Sequence, residues 1–169
     1  SLKFRYIGVD NGLSNNHVTS ICADKYGYIW IATKYGLNRF YGIGIVTYHH
    51  IAGNGISLIS DYVNVIFCDS KGRLWAGTDK GLCFYNESIN GFSRLSGKGN
   101  QLSDKAIFDI KEDKDKKLWI GTEKGLLIYS PGKDHLIHYS QSDKDNVKLI
   151  FTLGTIYYRI KDYKNAKKQ

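Results

Sequence analysis

Apolar and polar positions alternate in short runs along most of this chain, and turn residues break the runs at regular places. A period of two is the pattern of strands that bury one face. In the first stretch it predicts strands A to D over about 17–23, 28–33, 37–41 and 45–49. The A to B turn reads Asp24-Lys25-Tyr26-Gly27. There the Asp side chain can accept backbone N–H bonds and Gly can take a positive φ, which is a hairpin signature.

The whole unit recurs. Trp30, Trp75 and Trp119, the only tryptophans, lie 45 and 44 residues apart. Relative to each Trp, an Asp stands six residues earlier (Asp24, Asp69, Asp113) and an Ile nine earlier (Ile21, Ile66, Ile110). Downstream, each Trp is followed at fixed offsets by a Thr, by a Gly-Leu pair (Gly36, Gly81, Gly125) and by an aromatic residue. A period in the mid-forties is the length of one propeller blade. The expected fold is all-β: a partial β-propeller of three four-stranded blades over about 13–50, 59–95 and 102–139, within a propeller region spanning 1–141. An extra N-terminal strand is expected over about 3–7, and a basic α-helical tail over 142–169.

Each Trp falls in the middle of strand B, where a large ring fills the space between neighbouring sheets and contributes several kcal/mol of burial. The three are therefore read as structural, together with the three Asp of the A to B turns and the three Gly of the B to C turns. In the third repeat Lys116 stands where the others have Gly27 and Gly72. Keeping a left-handed conformation there costs about 1 kcal/mol, so that turn is expected to be distorted.

These residues resemble the two-component regulator propeller repeat, with its Leu-Ser opening, Asp, Leu-Trp-Ile-Gly-Thr and Gly-Leu. Leu13-Ser14 with Ile21 and Asp24 fits that opening, as does Leu102-Ser103-Asp104 with Ile107 and Ile110. Ile59-Ser60 is a weaker second copy. The resemblance covers about residues 4–139 and implies a non-catalytic sensor module of a glycan-responsive, periplasmic hybrid histidine kinase. Its kinase parts would belong to a parent protein. The sequence shows no phospho-acceptor His in a helical context, no ATP-binding Gly-rich box and no receiver Asp pocket.

In a blade the D to A and B to C loops emerge on one face. That places Asn15, Asn16, His17, Tyr35, Asp61, Tyr62, Asp79, Lys80, Asp104, Glu123 and Lys124 around a surface with aromatic and polar groups suited to an oligosaccharide. Two other readings stay open: a protein-interaction propeller without a small ligand, and an enzyme using paired carboxylates among Asp61, Asp79, Asp104 and Glu123. Those carboxylates share no catalytic motif. No metal or cofactor is expected.

Charge and cysteine content change little. The formal net charge is +8, and residues 143–169 carry seven Lys or Arg against three Asp, so half the excess lies outside the repeats. Without a recognisable nucleic-acid motif this reads as a solvated tail. Cys22, Cys68 and Cys83 lack metal-ligand spacing and read as isolated thiols in strands. No run of about eighteen apolar residues predicts a membrane span, so a membrane enters only through a parent protein.

Three blades are fewer than the four to eight of a typical propeller, and the chain contains no Met, so a segment of a larger protein is expected. Ring completion is left to further parent blades, to the tail plugging the gap, or to self-association. The tail itself reads either as one amphipathic helix over a sheet edge or as half of a tetratricopeptide-like repeat around Leu153-Gly154, Tyr157-Tyr158 and Ala166.

Overall fold

A computed structural model describes residues 5–95, 102–132 and, for the backbone alone, 135–139. Among the described residues twelve strands form three antiparallel sheets, each in chain order. Blade 1 contains β1 (Val18–Ala23), β2 (Ile29–Thr33), β3 (Gly36–Phe40) and β4 (Ile45–Tyr48). Blade 2 contains β5 (Val63–Cys68), β6 (Leu74–Thr78), β7 (Gly81–Asn86) and β8 (Gly91–Arg94). Blade 3 contains β9 (Ile107–Glu112), β10 (Leu118–Thr122), β11 (Gly125–Ser130) and β12 (His135–Tyr139). The helical tail expected over 142–169 lies outside the described residues. So does part of the strand expected over 3–7, whose described portion, Arg5 to Ile7, is irregular backbone.

The repeated Asp does more than cap its turn. Asp24 Oδ1 accepts the backbone N–H groups of Tyr26 and Tyr28, while Oδ2 accepts the indole N–H of Trp30 at 2.8 Å. The same three bonds join Asp69 to Lys71, Arg73 and Trp75, and Asp113 to Asp115, Lys117 and Trp119. One carboxylate thus shapes the A to B hairpin and satisfies the one polar atom of a ring that the core buries. Trp30, Trp75 and Trp119 are 1%, 0% and 2% exposed.

The turn at Lys116 is not distorted, contrary to the expectation from its sequence. Lys116 has φ 63°, and its N–H donates to Asp113 O at 3.0 Å, as Gly27 donates to Asp24 O and Gly72 to Asp69 O. The three Asp113 bonds hold the left-handed residue in place, so the strain is carried rather than relaxed.

Blades stack face against face. Trp30, Ala32 and Leu37 of blade 1 pack on Val63, Ile66, Leu74 and Ala76 of blade 2. Trp75 and Leu82 on the other side of blade 2 pack on Ile107, Ile110, Leu118 and Ile120 of blade 3. Strands β1, β5 and β9 lie side by side as the innermost strands. Each slips register by one residue near its start, leaving Thr19, Asn64 and Phe108 as bulge residues. The first two reach across to the next blade: Thr19 Oγ1 donates to Val63 O, and Asn64 Nδ2 donates to Ile107 O at 3.0 Å.

The thiols of Cys22 and Cys68, expected to be isolated, lie 3.0 Å apart across the first blade junction. Cys83 is buried alone, its thiol directed to Ala76 O.

Candidate functional site

The B to C turns and D to A loops form one face, as the connectivity predicts. Each B to C turn is a two-residue hairpin closed by Thr and Gly: Thr33 pairs with Gly36, Thr78 with Gly81 and Thr122 with Gly125. The Thr hydroxyl donates to the Gly carbonyl at 2.8 to 3.0 Å and accepts the N–H of Tyr35, Lys80 or Lys124 at 3.1 Å. This explains the repeated Thr, whose role the sequence pattern does not reveal. The side chains of Lys34-Tyr35, Asp79-Lys80 and Glu123-Lys124 are left exposed at the tips.

The turns are stitched to the D to A loops. Lys34 N–H donates to His17 O, Asp79 N–H to Tyr62 O and Glu123 N–H to Ala106 O, all within a blade. Between blades, Gly36 N–H donates to Asp61 O at 2.7 Å and Asp104 N–H donates to Lys80 O at 3.0 Å. Gly36 is required there: its φ is 108°, and a Cβ would lie 2.8 Å from Tyr48 O. The equivalent Cβ at Gly81 would lie 2.9 Å from Leu102 O.

The predicted face residues divide by what their polar atoms already do. Asn15 Oδ1 accepts His17 N–H, and Asn16 Oδ1 accepts Val9 N–H, so these amides shape the loop that carries them. Asp61 Oδ1 accepts His50 N–H at 2.7 Å and lies 3.3 Å from His49 Nδ1. Glu123 Oε1 accepts Ala106 N–H. The side chains of His17, Asp79, Lys80, Asp104 and Lys124 are exposed. The aromatic pair stands out at the junction of blades 1 and 2. Tyr35 is 57% exposed with its ring 5.2 Å from that of His49, and Tyr62 is 38% exposed with Lys34 Nζ 5.8 Å from its ring centre. His49 and Lys34 belong to this cluster but were not among the predicted residues. His49 directly follows β4, at the end of the strand expected over 45–49, and Lys34 differs from the residues at its position in the other repeats.

The outer part of the same junction is closed by Arg39. Its guanidinium lies 5.4 to 6.0 Å from the rings of Tyr28, Trp30, Tyr48 and Tyr85, and Nη1 donates to Tyr85 Oη at 3.2 Å. Burial and the neighbouring Tyr85 hydroxyl push the Tyr48 phenol upward, so it stays neutral and serves as a packing group.

The sequence matches the family Two component regulator propeller over residues 12–35, 57–80 and 101–124. Among solved structures, it is similar to the extracellular domain described as that of a hybrid two component system, BT3049 from B. thetaiotaomicron. The identity is 28% with a TM-score of 0.71, covering 82% of this chain and 20% of that one. The extracellular domain of BT4673 from the same organism is 25% identical, with a TM-score of 0.62 and coverage of 81% and 18%. Virginiamycin B lyase from Staphylococcus aureus shares the fold alone, at 14% identity and a TM-score of 0.55 over 78% of this chain and 44% of that one. No curated protein sequence matches. The chain spans about a fifth of the two extracellular domains it resembles. No helix among the described residues is long and apolar enough to cross a membrane. Each family match runs from a D to A loop through one Asp–Trp hairpin to the tip of a B to C turn, so the three blades carry two-component regulator propeller repeats.

Proposed function

We propose that this chain is a non-catalytic ligand-binding part of an extracytoplasmic, glycan-responsive two-component regulator. The observation that carries the reading is the exposed Tyr35 and Tyr62 pair, flanked by His49 and Lys34 at the seam between blades 1 and 2. Aromatic faces take the apolar side of a sugar ring while neighbouring polar groups take its hydroxyls. The carboxylates of Asp61 and Glu123 accept the backbone N–H groups of His50 and Ala106, and the four acids share no catalytic motif, which favours binding over a paired-carboxylate mechanism. Calorimetric titration with a panel of neutral and anionic oligosaccharides tests this. Binding that Tyr35→Ala or Tyr62→Ala weakens at least about tenfold is the expected result. No heat of binding from any member at millimolar concentration would overturn it.

One observation favours a second reading, that of an interaction module. Ile21 is 62% exposed, whereas its counterparts Ile66 and Ile110 are buried at 5% and 1% between blades. The face that blade 1 presents away from blade 2 is therefore built like a blade-to-blade contact. Further blades of a parent protein or a second copy would cover it, and light scattering over a concentration series distinguishes a dimer from a monomer.

A further inference from the structure

Cys22 and Cys68 lie on neighbouring innermost strands, β1 and β5, with their sulfur atoms 3.0 Å apart. Stacked blades meet through opposite faces of equivalent sheets. Cys22 lies opposite Trp30 in its sheet and so faces blade 2, while Cys68 lies opposite Leu74 and faces blade 1. The one-residue difference in their repeat positions, which makes them look unrelated in sequence, is therefore what lets them meet. At the next junction the same two places hold Phe67, opposite Trp75, and Glu112, opposite Leu118. The thiol pair is not a by-product of the repeat.

We infer that Cys22 and Cys68 form an oxidisable dithiol which closes to a disulfide stapling the inner strands of blades 1 and 2. The 3.0 Å separation needs to contract only to about 2.05 Å. Both residues are partly exposed, so an oxidant can reach them, whereas Cys83 is buried. With Cys22 as the donor of the thiol–thiol hydrogen bond, the pKa of the Cys68 thiol is lowered, against partial burial and the nearby carboxylates of Asp24 and Asp69, which act to raise it. The co-reactant is a disulfide-bearing oxidant. Cys68 thiolate attacks one of its sulfurs, forming a mixed disulfide and releasing one oxidant thiolate. Cys22, losing its proton to water, then attacks Cys68 Sγ and expels the second oxidant thiolate. In total two protein thiols give up two protons and two electrons, and the oxidant's S–S bond becomes two thiols. Outside the cytoplasm such a bond persists. The inference rests on the thiol geometry and is independent of sugar binding.

The test equilibrates the 169-residue chain with reduced or oxidised glutathione, then denatures it, alkylates it with a maleimide and measures its intact mass. Three adducts on the reduced chain and one on the oxidised chain are expected, with a Cys22–Cys68 linked peptide after digestion. The oxidised chain should melt about 10 °C higher than the reduced one. Cys83→Ala should keep that shift, and Cys22→Ser and Cys68→Ala should each abolish it. Three adducts after oxidation, glutathione held singly on Cys68, a bond to Cys83, or a bond between two chains would each overturn the assignment. The mass readout needs no variant, so a substitution that fails to fold leaves the result decisive.

Discussion

Replacing Asp69 by Asn removes one hydrogen bond from the buried blade and leaves the hairpin beside it intact. Oδ1 accepts Lys71 and Arg73 N–H at 3.0 and 2.8 Å, and the amide oxygen of Asn retains both, which fixes the orientation of the new group. The NH2 then replaces Oδ2, the acceptor of Trp75 Nε1–H at 2.9 Å, so donor faces donor. Asp69 is 6% exposed and Trp75 fully buried, so water has no ready access to the orphaned indole N–H. An unmade bond of this kind costs about 2 kcal/mol. The repeat supplies internal controls: Asp24→Asn and Asp113→Asn break the same bond at 2.8 Å, but those carboxylates are only half-buried. Hydration should limit each of those losses to about 1 kcal/mol. Urea unfolding followed by circular dichroism, with the denaturant slope unchanged, measures all three. In a Trp75→Phe background the indole N–H is gone, and Asp69→Asn should then cost little. Equal losses at all three positions, or an undiminished loss beside Phe, would refute the account.

Two further outcomes follow from single residues. Lys116→Gly relieves a left-handed lysine at φ 63° whose turn already has the geometry of its glycine counterparts, so unfolding in urea should show a gain of up to about 1 kcal/mol. Burial pushes the Cys83 thiol up to about 12 from its ordinary 9.0. The folded state therefore holds that proton more tightly, and the associated stability is intact below pH 9 and is lost as pH rises toward 12. The loss attributable to this thiol is about 4 kcal/mol, measured as the difference between the parent and Cys83→Ala in reducing buffer across that range.

Strands, turns and the burial of the three tryptophans were legible because a two-residue period and a repeated Asp-to-Trp spacing express local geometry. The indole–carboxylate bond was hidden in that same spacing: six residues along a hairpin bring the two groups together, but only the turn shape shows it. Lateral relations were not legible. Thr19 and Asn64 stand at the same repeat position, yet their carbonyl partners, Val63 and Ile107, lie one blade further on. The Cys22–Cys68 approach likewise depends on which faces of two sheets meet. For Lys116 the local rule predicted a distorted turn and the turn is kept, because three hydrogen bonds accepted by Asp113 outweigh about 1 kcal/mol of backbone strain. On the candidate face, position was legible but availability was not. Asn15, Asn16 and Asp61 use their oxygens within loops, which leaves the exposed rings of Tyr35 and Tyr62 as the stronger contacts.

The three repeats also act as one another's controls for where chemistry is concentrated. Where blades 2 and 3 present Lys80 and Lys124, blade 1 presents Tyr35, and where the second junction has Phe67 and Glu112, the first has two thiols. Both departures fall on the seam between blades 1 and 2. That seam is bonded from one end to the other: Gly36 to Asp61 at the candidate face, Thr19 to Val63 and Ser20 to Ile66 along the inner strands, and Lys25 and Tyr26 to Glu87 at the opposite turn. A sugar spanning Tyr35 and Tyr62 would contact both sides of it, so its affinity depends on how closely the two blades are held in register. A disulfide at Cys22 and Cys68 narrows that distribution without touching the ligand, and preorganisation of this kind lowers the entropic cost of binding. Titrating the same oligosaccharide into the oxidised and reduced chains should therefore give the tighter affinity in the oxidised form. Equal affinities would show that a sugar is held by one blade alone.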